Sequence, residues 1–434
     1  MRQLPIVFIS CAVLLASLIS SQAHAQRRIT PAPWAAERRA TPPEDIEVSL
    51  ATFGPGSDVP SWFGHSALVV RDKTRGTQRL YNYGMFDFGP TMLANFVSGR
   101  LLFWVGPASY KRTLNFYKRQ DRDVRVQILN LEPAGAQKIA EYLEWNIKPE
   151  NREYLYDHYK DNCSTRLRDL IDEATGGQFK EASRAIPARL TIRDHTRRHA
   201  NWPIIDYGMM ILMNSDIDVP VTTWEEMFLP LELEDRLDAA TYKNSKGEVI
   251  PLVASKSVFH KAVDRQPVRQ QPPLLWPWMV LLGLLFAAPS VWLGRLFATN
   301  PGSRAWRVLF GLYQIALGLG FGGVGVSLIL MWSSTDHVIT YHNENLLWVS
   351  PLILFNAWLG LGIVRNKHMA PVRMVTLWKV CTGIACVGAL LKVTPWFAQQ
   401  NHLTVALMVP FLSGMLVTVL WSLKPLFAPG RALR

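Results

Sequence analysis

The chain has 434 residues, a length that suggests two or three domains. Its formal net charge is +12, but many basic residues lie in an Arg-rich stretch near the N-terminus and in short loops between apolar segments. The charge therefore does not indicate a nucleic-acid-binding protein. The first two-thirds of the chain is polar and mixed, whereas the last third is nearly all apolar, a pattern that indicates a polar domain followed by a membrane-embedded one.

The N-terminus has the pattern of a secretory signal peptide over residues 1–25. Arg2 is followed by an apolar run from Leu4 to Ile19, and Ala23-His24-Ala25 then provides a small-x-small cleavage site. An uncleaved anchor helix is the alternative. Residues 26–45 mix Pro, Arg and Ala without periodicity, which is typical of a linker. The domain predicted next, over residues 46–265, should therefore lie outside the cytoplasm.

This predicted domain begins with strands. His65 shares one face of its strand with Ala67 and Val69, because side chains alternate along a strand. The stretch from Gly84 to Gly99 is aromatic-rich and partly helical, and Pro133 is expected to open a helix that ends near Ile147. The predicted strands are Ile46–Leu50, Ser61–Arg71, Arg79–Tyr83 and Val124–Leu131.

Cys163 is the strongest candidate for a reactive group. It follows Asp161 and Asn162, two residues that cap helices well, and apolar residues then recur at helical spacing up to Ala174. A thiol in the first turn of a helix loses its proton more easily, and the thiolate is the nucleophile. Cys163 is also the only cysteine of the exported polar region. The alternative is a small, buried, apolar side chain.

A thiolate needs a base within hydrogen-bond reach, usually an imidazole. His65 fits this role because a strand would hold it rigidly, although a histidine on a strand is also often a structural group. His195 and His199 have the spacing of metal ligands on a helix, but the arginines around them favour a solvated basic face. We therefore expect neither a metal nor another cofactor.

Five apolar stretches follow a Pro- and Gln-rich linker at residues 266–273, and each is long enough to cross a hydrocarbon core of roughly 30 Å. Basic residues in alternate loops predict a cytoplasmic C-terminus and an external N-terminal domain. Trp276, Trp278 and Trp348 are predicted to be anchors at the membrane interface. The glycine-rich stretch Gly318–Gly323 lies inside a span, so we expect close helix packing rather than a dinucleotide site. The stretches are Leu274–Gly294, Val308–Trp332, Asn345–Val364, Met374–Val393 and Leu403–Trp421.

Several motifs resemble the periplasmic domain of the Lnb lipoprotein N-acyltransferases. The main ones are Thr52-Phe53-Gly54-Pro55-Gly56, Trp62-Phe63-Gly64-His65-Ser66-Ala67-Leu68 and Asp161-Asn162-Cys163-Ser164-Thr165-Arg166. The resemblance implies an α+β fold: a permuted papain-like domain, similar to NlpC-type and lecithin:retinol acyltransferase-like enzymes, before a bundle of five transmembrane α-helices. It implies Cys163 as the nucleophile and His65 as the base. Asn82 is the expected imidazole-orienting residue, with Asp161 and Tyr83 as alternatives.

By the same resemblance, the protein is expected to lie in the bacterial inner membrane. It would move an acyl chain from a phospholipid, through a Cys163 thioester, to the α-amino group of a diacylated lipoprotein, with backbone N–H groups at the helix start binding the oxyanion. The residues alone leave two alternatives. One is a membrane-tethered cysteine hydrolase, either a phospholipase or thioesterase or a cell-wall peptidase. The other is a non-enzymatic membrane assembly protein.

Overall fold

A computed structural model describes residues 41–87 and 89–427, which divide into two compact units. The first unit contains the described residues up to Ala200 together with Pro220–Pro272; the second contains Asn201–Val219 and the described residues from Pro273 onward. The predicted domain at 46–265 is thus interrupted by a segment that groups with the second unit. The predicted signal peptide at 1–25 and residues 26–40 of the predicted linker lie outside the described residues.

The helices and strands are numbered in chain order. The strands are β1 Ile46–Phe53, β2 His65–Asp72, β3 Thr77–Met85, β4 Leu102–Ser109, β5 Val124–Leu129, β6 Glu153–Leu155, β7 Thr241–Lys243, β8 Val249–Pro251 and β9 Val253–His260. The helices are α1 Pro90–Ser98, α2 Tyr110–Arg119, α3 Pro133–Asn146, α4 Cys163–Ala174, α5 Gln178–Arg184, α6 Ile192–His199, α7 Pro203–Leu212, α8 Thr223–Glu226, α9 Pro230–Ala239, α10 Trp276–Thr299, α11 Arg304–Ser334, α12 Phe355–Val364, α13 Met369–Leu391 and α14 His402–Val417.

The first unit is organised around a seven-stranded sheet with the order β6-β4-β3-β2-β1-β5-β9, in which each neighbouring pair is antiparallel. Side-chain alternation gives this sheet two apolar faces. One face carries Leu50 and Leu68 and packs with residues of α3, α4 and α9. The other carries Phe53 and Ala67 and packs with Leu114 of α2. The sheet therefore has three helices on one face and α2 on the other.

Strand β2 begins at His65, later than the predicted start at Ser61. Residues 59–61 form a 3-10 turn, and Gly64 then adopts φ +83°. A left-handed residue is incompatible with a regular strand and favours glycine. A side chain at Gly64 would also meet the Phe53 carbonyl oxygen at 2.9 Å. This turn fixes the point at which the chain enters the sheet, immediately before His65.

The second unit consists mainly of apolar helices. Among the described residues, four helical segments are long and apolar enough to cross a membrane: α10, α11, α13 and the segment His402–Phe427. The predicted straight span Asn345–Val364 differs from the structure, where Val338–Leu347 and Pro351–Val364 form a pair bent by 67°. The count of five is reached only if that bent pair is one span.

The glycines of α11 confirm close helix packing. A Cβ atom at Gly318 would lie 2.3 Å from the Ala357 nitrogen, and one at Gly322 would lie 2.2 Å from the Leu354 nitrogen. Backbone atoms cannot move away as a flexible side chain can, so only glycine fits at these positions. The glycine-rich stretch is thus a packing surface of the membrane unit.

One of the predicted interface anchors lies elsewhere. Trp348 is only 5% exposed and belongs to the core of the bundle, so it is not an interface anchor, whereas Trp276 and Trp278 are exposed.

Helix α7, which was predicted to belong to the domain at 46–265, is joined to the apolar helices of the second unit by the carbonyl groups at its end. The Asn343 side chain donates to the Ile211 and Leu212 oxygens at 3.0 and 2.9 Å. These bonds satisfy carbonyl groups that a helix end leaves without partners.

We expect Gly322→Ala to lower the thermal midpoint of the detergent-solubilised protein, because the added methyl group overpacks the contact with Leu354 at a cost of about 1–3 kcal/mol. Gly320→Ala is the matched control in the same helix, since a Cβ there meets no atom within 4 Å. The control should be neutral or slightly stabilising. Equal thermal midpoints for the two variants would contradict the packing role of Gly322.

Candidate active site

Cys163 is the first residue of α4, and Asn162 caps that helix. The Asn162 Oδ1 atom accepts hydrogen bonds from the N–H groups of Ser164 at 2.8 Å and Thr165 at 3.0 Å. The Asn162 N–H donates in return to Thr165 Oγ1 at 2.8 Å, which completes a capping box. The half-buried Cys163 thiol therefore lies at a well-defined helix N-terminus, where the helix dipole favours a negative charge.

This cap changes the expected oxyanion site. The N–H groups of Ser164 and Thr165 point to the Asn162 side chain and cannot also bind an oxyanion. Within the described residues, the N–H of Cys163 itself has no hydrogen-bond partner. We expected several N–H groups at the helix start to bind the oxyanion, but in the first turn only the Cys163 N–H is available for this role.

His65 lies at the start of β2 and is paired with Asn82 of β3. The His65 Nε2–H group donates to Asn82 Oδ1 at 2.6 Å. The Asn82 amide nitrogen faces the Met85 sulfur at 3.5 Å, so the amide oxygen is directed at the imidazole. With the proton on Nε2, the neutral ring has its lone pair on Nδ1, where it can accept a proton.

The Cys163 thiol interacts with the His65 ring, the Ser66 N–H and the Ser164 side chain. Burial alone would raise the pKa of the Cys163 thiol. The charge of His65 and these polar interactions outweigh burial, so the net effect is a pKa below the ordinary thiol value. The structure therefore brings Cys163, His65 and Asn82 together in an arrangement that stabilises a thiolate.

The two alternatives to Asn82 have other partners. Asp161 accepts two hydrogen bonds from the Arg166 guanidinium, at 2.6 and 2.8 Å. The Tyr83 hydroxyl donates to Asn146 Oδ1 at 2.6 Å in the core. The geometry places Asn82, rather than either of these residues, at the His65 ring.

Sequence reasoning missed the tyrosines around the thiol. The Cys163 charge raises the pKa of Tyr154 and Tyr156, although burial raises both more strongly. Tyr117, from α2, stacks on Phe53 and lies 6.2 Å from the His65 ring centre. These residues come from separate elements with no common spacing, so no sequence pattern could have placed them together. Ser66 could have been found, because its N–H directly follows the proposed base.

The prediction that His195 and His199 lie on a solvated basic face is wrong. Both are buried, at 1% and 3% exposure, and the arginines of α6 are buried with them. His195, Glu226 and Glu232 lie close enough to surround a metal ion. However, Arg198 Nε donates to His195 Nδ1 at 3.0 Å, which leaves the proton of a neutral ring on Nε2, beside Glu226. Arg198 pairs with Glu232 and Arg236 pairs with Glu226, so ion pairing accounts for the cluster.

The other buried histidines do not suit a base. Burial lowers the pKa of His158 to about 4 and that of His199 to about 3, so neither binds a proton readily near neutral pH. The Tyr156 hydroxyl is 3.0 Å from His158 Nδ1, and His199 Nδ1 donates to the His195 carbonyl oxygen at 2.8 Å. His65 remains the imidazole that interacts with the thiol.

The fold and the site define a membrane protein with an α+β domain in which a cysteine, a histidine and an asparagine meet. A family model described as the Lnb N-terminal periplasmic domain matches residues 34–198. The match includes all three residues and confirms the resemblance of this part of the chain to the Lnb N-terminal periplasmic domain. No curated protein and no solved structure matches the chain.

The lowered pKa of Cys163 predicts thiol reactivity at unusually low pH. An ordinary thiol has a pKa of about 8.5, so its alkylation slows as the pH falls below that value. Iodoacetamide should still label Cys163 below that pH and lose rate only when the pH falls through the lowered pKa. His65→Ala removes the charge and the polar interaction of the imidazole but leaves burial, so the midpoint of the rate–pH curve should move upward.

The measurement is the alkylation rate of Cys163 from pH 5 to pH 10, followed by peptide mass spectrometry. Cys163→Ser gives the background from Cys381 and Cys386, which are the other described cysteines. A wild-type midpoint equal to that of His65→Ala would contradict the thiolate–imidazole interaction.

Proposed function

We propose that the protein is a lipoprotein N-acyltransferase that transfers a fatty acyl chain from a phospholipid to the α-amino group of a lipoprotein N-terminal cysteine. The interaction of the Cys163 thiol with His65, whose ring is hydrogen-bonded to Asn82, supports this proposal most directly. Its place in an Lnb-type domain, on a chain with membrane-spanning helices, supports a lipid substrate. Cys163 serves as the nucleophile, His65 as the general base and acid, and Asn82 as the residue that positions the imidazole.

In the first half-reaction, the Cys163 thiolate attacks the ester carbonyl carbon of the phospholipid. A carbon–sulfur bond forms, and the Cys163 N–H donates to the resulting oxyanion. When the intermediate collapses, the acyl carbon–oxygen bond breaks. The protonated His65 ring gives its Nδ1 proton to the departing lysophospholipid oxygen, while Asn82 stays bound to Nε2. The products are an acyl thioester on Cys163 and a lysophospholipid.

In the second half-reaction, the acceptor amine attacks the thioester carbonyl carbon. His65 takes a proton from the amine, an amide bond forms, and the carbon–sulfur bond breaks to return the thiolate. The acceptor is the free α-amino group of a diacylated lipoprotein. The acceptor amine must react with the thioester faster than water does, because attack by water would release free fatty acid instead.

The proposed location is the bacterial inner membrane, with the first unit in the periplasm and the C-terminus in the cytoplasm. The connection between α10 and α11 is followed at the start of α11 by Arg304 and Arg307, and the connection after α12 carries Arg365 and Lys367. The positive-inside rule assigns such loops to the cytoplasm. This orientation agrees with the signal-peptide pattern of residues 1–25.

The full-length protein in phospholipid vesicles should gain the mass of one fatty acid on Cys163, in a bond that hydroxylamine cleaves. Addition of a diacylated lipopeptide with a free N-terminus should remove the adduct and yield a triacylated peptide. Cys163→Ser should form no thioester, and His65→Ala should form it at least about a hundredfold more slowly. Free fatty acid without acylated peptide would instead indicate a hydrolase, and no adduct on folded protein would contradict acyl chemistry.

Asn82→Ala should slow thioester formation by about tenfold to a hundredfold, because the His65 ring loses the acceptor that fixes its tautomer and orientation. Asn82→Asp keeps an acceptor oxygen and should restore much of the rate. Asn82→Ala and Asn82→Asp should also differ from each other in the pH dependence of thioester formation. A purely structural defect would not selectively change that pH dependence. Equal rates for Asn82→Ala and the wild type would contradict the positioning role.

A further inference from the structure

Helix α1 has the composition of a buried helix but lies at the surface. None of its side chains that the structure describes is buried, and Leu93 and Val97, one helical turn apart, are 42% and 39% exposed. Leu102 and Leu155 lie directly opposite each other on β4 and β6, and are 51% and 55% exposed. We refer to these four residues as the apolar patch. Packing within the first unit does not account for it.

The charge distribution is that of an element in contact with a lipid. No Asp, Glu, Lys or Arg occurs from Gly89 to Gly99, and Arg100 follows directly. A helix that lies at a membrane interface buries an apolar face among the acyl chains and places basic residues at the headgroups. Contiguous exposed apolar patches mark sites of interaction with proteins or membranes.

The apolar patch is connected to the candidate active site in two ways. The segment that leads into α1 begins at Met85, whose sulfur faces the Asn82 amide nitrogen. Next to it, Phe86 stacks on Phe103 at 5.0 Å, and Phe103 stacks on Tyr156 at 4.3 Å. Tyr156 interacts electrostatically with Cys163. A continuous row of aromatic rings thus extends from the base of α1 toward the thiol.

We propose that the apolar patch inserts among the acyl chains of a phospholipid bilayer, and that the row Phe86–Phe103–Tyr156 guides one acyl chain toward Cys163. The membrane is chosen over a protein partner because the same chain carries membrane-spanning helices, which keep the first unit tethered to a bilayer. The insertion stands on the exposed residues alone. The guidance of an acyl chain to Cys163 rests on the proposed function.

Photocrosslinking of the full-length protein tests the insertion. Benzoylphenylalanine replaces Leu93 or Val97, and the protein is reconstituted in vesicles of phosphatidylethanolamine and phosphatidylglycerol. Irradiation should add the mass of a phospholipid at either position. Val249, which is 64% exposed on β8, is the matched control and should give little adduct. Crosslinks within the chain or to another protein, or no excess of lipid adduct over the control, would overturn the insertion.

The kinetic arm tests acyl-chain delivery. The double variant Leu93→Asp/Val97→Asp should lower the rate of thioester formation from vesicle phospholipid by at least about tenfold, because charged side chains do not enter the acyl region. Val249→Asp should leave that rate unchanged. The alkylation rate of Cys163 in both variants reports whether the site is intact. A full rate of thioester formation in the double variant would overturn the delivery role. Absence of a thioester in the wild type would instead contradict the proposed function. In that case the crosslinking result would still decide whether the apolar patch inserts into the bilayer.

Discussion

The position of Asn162 is the constraint on which the site depends. One side chain accepts hydrogen bonds from the first turn of α4 and donates to the carbonyl oxygens of His158, at 2.7 Å, and Phe228, at 2.9 Å. The same residue therefore starts the helix and joins it to two other segments of the domain. Since a cap alone contributes about 1 kcal/mol, the larger effect here is geometric: Cys163 cannot shift along the helix axis without breaking several buried hydrogen bonds.

The imidazole has an equally firm but different support. His65 and Asn82 come from adjacent strands, and their separation is set by the sheet register rather than by a loop. The left-handed turn at Gly64 sets where β2 begins, and Gly84 lies beside the His65 ring with φ +110°, a conformation that favours glycine. A rigid sheet and a capped helix thus meet at one edge of the domain. This arrangement limits the reorganisation that the chemistry requires.

Local patterns predicted the parts of the site but not its surroundings. The cap and the helical spacing after Cys163 fix α4, and the alternation around His65 fixes the face on which it lies, because both depend on residues close in the sequence. Asn82 was one of three choices for the third residue, since register between strands cannot be read from spacing. The buried state of α6 was missed for a related reason: arginines usually indicate solvent, but Glu226 and Glu232 come from distant segments and make their burial possible.

The grouping of residues 201–219 with the membrane unit has a consequence for dissecting the protein. The chain passes between the two units three times, after residues 200, 219 and 272. A fragment cut at the last of these points would retain α7 but lose Asn343, Asn345 and Gln399, whose side chains bind the carbonyl groups of Ile211 and Met213. The cut would also expose the apolar side chains of α7. A soluble version of the first unit therefore requires the replacement of residues 201–219 by a linker as well as removal of the spans.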